Sequence, residues 1–92
     1  MPYITKLDRS HVDPHLNNFL SYVDIANSPG RLNYIITAIC HDYLQRSDFK
    51  YKDLNEVLGV LESAKLELYR QVVAKYEDKK REENGSISGL DK

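Results

Sequence analysis

The chain has 92 residues and a formal net charge of −1, which makes one domain and removes the electrostatic case for duplex nucleic acid. Its composition, 41% hydrophobic and 29% charged, suits a soluble fold with a modest core and leaves no room for a deep catalytic cleft. The single cysteine, Cys40, excludes an intrachain disulfide and a cysteine-based zinc site, and its place in the apolar run from Ile35 predicts a buried, inert thiol. No signal peptide, transmembrane run or lipidation motif is visible, so a cytoplasmic location with no membrane partner is expected. Seven tyrosines and no tryptophan is the unusual feature, because tyrosine joins a flat apolar face to a polar tip and suits interfaces and flat ligands.

In chain order, Met1 to Leu7 reads as an extended arm, with Pro2 and the alternation Tyr3, Ile4, Thr5 arguing against helix. The first helical region lies between Asp8 and Ala26. Asp13 is its expected N-cap and Pro14 its first helical residue, followed by Leu16, Phe19, Leu20 and Val23 at helical spacing. Asn27-Ser28-Pro29-Gly30 is a loop. Arg31 to Gln45 is the second helix, with Leu32, Ile35, Ile36, Ile39 and Tyr43 as its buried stripe. Arg46 to Lys52 is a polar connection in which Phe49 and Tyr51 are expected to fold back as anchors.

Asp53 to Glu83 then forms one long helix, free of proline, opened by Asp53 and Glu56 as an acidic capping box and stopped by Asn84-Gly85. It would run ~45 Å. A compact chain of this length is only about 30 Å across, so the helix calls for a partner outside its own chain. At 100° per residue, Leu54, Val57, Leu58, Val60, Leu61, Ala64, Leu68 and Val72 fill one arc, while Leu66, Tyr69, Val73 and Tyr76 make a second stripe beside it. Two shorter helices cover the first half of the long helix at most. The expected fold is therefore all-α: two medium helices packed on one long C-terminal helix, in an oligomeric bundle. A single domain spans residues 1–85, including the arm at 1–7, and residues 86–92 form a flexible tail. Lys65 lies inside the first arc, with Glu62 placed to pair with it at i,i+3.

Nothing in the chain supports catalysis, a metal or a cofactor. His11 and His15 have a metal-ligand spacing, but a helix starting at Asp13-Pro14 spoils their register. His41-Asp42 resembles the adjacent pair of HD-type metal phosphohydrolases, which need further ligands on a longer chain, so Asp42 is expected to face solvent. Glu62 and Glu67 lie ~140° apart and cannot share a metal within one chain. What remains is a binding constellation. Arg31, Asn33 and Tyr34 open the second helix, where free N–H groups attract anions, although capping is the favoured role for Asn33. Tyr69, Arg70, Tyr76 and Lys80 supply stacking faces and phosphate donors near the end of the long helix. The rival reading is a solvated helix end, with Arg70 paired to Glu67 or Glu77 and the tyrosines packed on a partner helix.

Met1-Pro2-Tyr3-Ile4, Asp8-Arg9 and Leu32-Asn33-Tyr34-Ile35-Ile36-Thr37 carry a resemblance, as do Asn55 through Gly59, Lys65-Leu66-Glu67, Tyr69-Arg70, Tyr76-Glu77-Asp78-Lys79 and Asn84-Gly85. Over nearly the whole chain to Gly85, it resembles a family of small, mostly uncharacterised phage and prokaryotic helical proteins. The family pattern has a proline before the tyrosine that is Tyr76 here, where this chain has Lys75. Short phage proteins of this kind are similar to the sponges that disarm CBASS immunity by oligomerising around a cyclic dinucleotide, such as cyclic GMP–AMP, without cleaving it. The resemblance implies a non-enzymatic sponge in the host cytoplasm that holds its ligand at subunit interfaces, while the second stripe of the long helix predicts a dimer or tetramer. The alternative is a helical oligomerisation or protein-interaction module with no small ligand.

Overall fold

A computed structural model describes residues 1–92 and is all-α, with no strand. Its elements are α1 (Lys6–Tyr22), α2 (Pro29–Arg46), α3 (Tyr51–Leu68), a π-helical segment (Tyr69–Val73), α4 (Ala74–Asn84) and a short 3-10 turn (Gly89–Asp91). The chain divides into two units, Pro2–Gly59 on one side and Met1 with Val60–Lys92 on the other.

In the first unit, α1 starts well before Asp13. Thr5 is the N-cap, and its hydroxyl accepts from the Asp8 N–H at 3.1 Å. Asp8 sits in the first turn, where its charge meets the positive end of the helix dipole. Thr5-x-x-Asp8 is thus a stronger start signal than Asp13-Pro14, and the helix runs on through Pro14. Lys6 and Leu7 belong to the helix rather than to the arm, and His11 and His15 share one helix after all. The α1–α2 loop follows expectation and sharpens it: Ser28 caps α2 by accepting from the Arg31 N–H at 3.3 Å, and Pro29 takes the first turn.

The entry to α3 differs from the expected capping box. The helix begins at Tyr51, so Asp53 stands inside the first turn and reaches back, accepting from the Lys50 N–H at 2.9 Å. The side chain of Glu56 turns elsewhere and accepts the Tyr43 hydroxyl at 2.9 Å, tying α2 to α3. Phe49, in the connection, has φ 57°, a left-handed conformation that opposes a bulky side chain, and its ring is exposed along with that of Tyr51. Neither is an anchor within the chain.

Along the second unit, the long helix is interrupted. The Ala74 N–H bonds to the Tyr69 carbonyl, five residues back, closing a π turn. One extra residue in a turn displaces everything after it by roughly one residue step, ~100°. The uninterrupted projection therefore fails beyond Tyr69. Tyr76 and Lys80 swing from the second stripe onto the arc that holds Leu61, Ala64 and Leu68. The helix ends as expected at Gly85, whose φ of 90° suits glycine and whose N–H bonds to the Arg81 carbonyl. Beyond it, Ser88 and Asp91 form a capping box, and Arg81 Nη1 donates to the Asp91 carbonyl at 3.1 Å.

The apolar stripes are where expectation and structure diverge most. No hydrophobic side chain is buried; Leu32, Ile36, Ile39 and Tyr43 of α2 are exposed, Ile35 is half-buried, and Cys40 is half-buried rather than enclosed. The only buried residue is Asp53, 5% accessible. Because its carboxylate satisfies the amide that opens α3, truncation removes a helix-start bond worth about 1 kcal/mol. Asp53→Ala is expected to lower the thermal midpoint by ~4–8 °C, followed by circular dichroism, while Asp53→Asn retains much of the loss-prone contact.

Candidate functional site

The seven residues singled out from sequence fall into two clusters, one in each unit. Arg31, Asn33 and Tyr34 lie in the first two turns of α2. Arg31 Nη1 donates to the Asp24 carbonyl at 2.6 Å, pinning the guanidinium to the loop that leaves α1. Asn33 caps nothing, because Ser28 does that; its Oδ1 accepts from the Thr37 hydroxyl at 3.0 Å. Tyr34 is 74% accessible and borders an apolar groove of about 480 Å³ with Leu16 and Phe19 of α1 and Ile35, Ala38 and Ile39 of α2.

Tyr69, Arg70, Tyr76 and Lys80 lie on the π segment and α4. Arg70 follows the rival reading: its Nη2 meets both carboxylate oxygens of Glu67 at 2.9 and 3.2 Å. Lys80 is shared between Glu83, at 3.2 Å, and the face of the Tyr76 ring, whose centroid lies 5.7 Å from Nζ. That distance is within cation–π range. Tyr69 is a different case. A hydrogen bond to Glu77, reinforced by the charge of that carboxylate, raises the phenol above its ordinary pKa.

A cavity of about 430 Å³ opens beside Tyr69, bordered by Glu77, Asp78, Arg81 and Asp91. Asp91 accepts from the Ile87 and Ser88 N–H groups at 3.0 and 2.9 Å, and these bonds hold its pKa below the ordinary value. Glu77, Asp78 and Asp91 stand there beside two cations, Lys80 and Arg81, so the lining carries a formal charge of −1. Sequence reading passed over this feature, although Ser88-x-x-Asp91 carries the capping-box spacing that announces it.

The remaining polar candidates act locally. Asp42 pairs with Arg46 at 2.8 Å and Lys65 with Glu62 at 3.1 Å, both exposed. No group of three or more histidine, cysteine, aspartate or glutamate side chains comes together to hold a metal ion. No helix is long and apolar enough to cross a membrane.

A family model described as a domain of unknown function, DUF6899, matches residues 1–87, and the chain belongs to that family. No curated protein and no solved structure matches it.

The Tyr69–Glu77 bond gives a titration with a defined sign. The phenol donates while protonated, so the bond persists below the raised pKa and is lost as pH climbs through it. Comparing tyrosinate absorbance of wild type with Tyr69→Phe isolates this step. Glu77→Gln is expected to bring its midpoint down toward that of an ordinary tyrosine.

Proposed function

We propose that this member of the DUF6899 family is a non-enzymatic sponge: a self-associating helical protein that sequesters a cyclic dinucleotide signal, such as cyclic GMP–AMP, where subunits meet. The supporting observation is the coupling of exposed tyrosine rings to cations on helical faces. Lys80 lies over the ring of Tyr76, and Arg31 stands one turn before Tyr34. A cyclic dinucleotide offers two phosphates and two flat bases, and side chains of these types bind the former by charge-assisted hydrogen bonds and the latter by stacking. Arg70 and Tyr69 complete the candidate set, and the ligand has to draw Arg70 away from Glu67. Such a role places the protein in the cytoplasm of a phage-infected host, where it blunts CBASS immunity.

The second reading, an oligomerisation or protein-interaction module without a small ligand, draws on the uncovered apolar side chains of every helix. One incubation separates the readings. Mixed with cyclic GMP–AMP and then denatured, a sponge returns the nucleotide intact; a hydrolase returns fragments; a module shows no binding by calorimetry. For the sponge, Tyr76→Ala and Lys80→Ala are each expected to weaken binding roughly ten- to hundredfold, the equivalent of ~1.5–3 kcal/mol for a desolvated charge-assisted contact or stacked base. Arg70→Ala is the discriminating control. Its pair with the half-buried Glu67 contributes on the order of 1 kcal/mol to folding, so a large affinity loss with an unchanged thermal midpoint assigns it to the ligand.

A further inference from the structure

His11 and His15 have a metal-ligand spacing, and only the expected helix start at Asp13-Pro14 set them aside. The structure removes that objection, because α1 begins at Lys6 and runs through both residues to Tyr22. Residues four apart on one helix differ by ~40° around its axis and ~6 Å along it, so both imidazoles rise from one face. Nitrogen ligands stand ~2.0–2.1 Å from a transition-metal ion of the zinc type, which puts two of them about 3 Å apart. That gap is within reach of two rings whose Cβ atoms lie ~5–6 Å apart. Asp8, one turn before His11, adds a negative charge nearby without completing a three-ligand cluster. Pro14 stands between the two histidines and has no N–H, so the turn they bracket lacks one backbone hydrogen bond of the helix.

We propose that His11 and His15 form a two-imidazole site for a divalent transition-metal ion, and that the bound ion clips α1 across Pro14. Imidazole suits copper, nickel and zinc, and Cu²⁺ heads their affinity order, so the preference runs Cu²⁺ before Ni²⁺ and Zn²⁺. With two protein ligands and no third, water fills the remaining positions, which makes the site open and exchangeable rather than a closed structural zinc centre. The helix assembles the pair, so the ion binds the folded chain more tightly than the unfolded one and stabilises α1 by that difference. Both ligands belong to one helix, so the site depends on no contact between helices. The third histidine of the chain, His41 on α2, has no histidine one turn away and cannot chelate in this manner.

The site requires no nucleotide, so it is tested without one, and its failure is separable from failure of the sponge reading. The full chain, free of any histidine tag, is titrated with Cu²⁺ in a weakly coordinating buffer and followed by calorimetry and electron paramagnetic resonance. One ion per chain is expected, with two equatorial imidazole nitrogens. His11→Gln and His15→Gln are each expected to weaken binding roughly tenfold or more, because the remaining imidazole keeps one of the two bonds. His41→Gln is expected to bind like wild type. Saturating Ni²⁺ is expected to raise the thermal midpoint of wild type and of His41→Gln, and to leave that of the other two variants unmoved. A measurement on wild type alone guards against variants that misfold: traces of Cu²⁺ are expected to broaden the ring resonances of His11 and His15 before those of His41. Equal broadening of all three histidines overturns the proposal. So does a wild type that takes up no Cu²⁺, or a His11→Gln variant that binds it undiminished.

Discussion

A helix in water gains most of its stability from burying one face, and in this protein no face is buried within the chain. That constraint governs the remainder of the structure. The helices are well formed and locally well started, by Thr5, Ser28 and the back-reaching Asp53, yet most of their leucines, isoleucines and valines remain open to solvent. Fully burying such a side chain contributes on the order of 1.5–3 kcal/mol. Local caps and exposed i,i+3 ion pairs contribute a few tenths to about one each, so they cannot substitute for a core.

Polar contacts within the chain are local and few. Between α2 and α3 there is one defined polar tie, from Tyr43 to Glu56, and its bond to the carboxylate raises the tyrosine pKa. Along the long helical run, Glu62–Lys65, Glu67–Arg70, Asp78–Arg81 and Lys80–Glu83 form a ladder of neighbours one turn apart. These pairs neutralise most of the cations that a phosphate would seek. A phosphate approaching this run therefore competes with existing pairs.

The π segment links the fold to the candidate residues. It sits between Leu68 and Ala74, begins at Tyr69 and contains Arg70, two of the candidate residues. By inserting one residue into a turn it reorients the end of the helix, carrying Tyr76 and Lys80 onto the Leu61–Leu68 arc while leaving Tyr69 beside the acidic cavity. Tyrosines that shared a stripe in projection are thereby separated into different environments. One meets a lysine and the other a glutamate.

The amino-acid sequence by itself determined the helices, because apolar periodicity, Ser-Pro and Asn-Gly are local signals acting over a few residues. It also supplied the rival partner of Arg70 and the stop at Gly85, both set within one turn of helix. The start of α1 was legible too, in Thr5-x-x-Asp8, but was outweighed by Asp13-Pro14. Tertiary structure decided the rest. The π turn depends on which hydrogen-bond register the whole run settles into, and a helical wheel presumes the answer. The bond from Glu56 to Tyr43, the groove between α1 and α2, and the exposure of the α2 stripe arise from where helices lie relative to one another. Hydrophobic periodicity says that a face requires covering; only the arrangement of α1 against α2 reveals that Ile39 stays open in the groove between them.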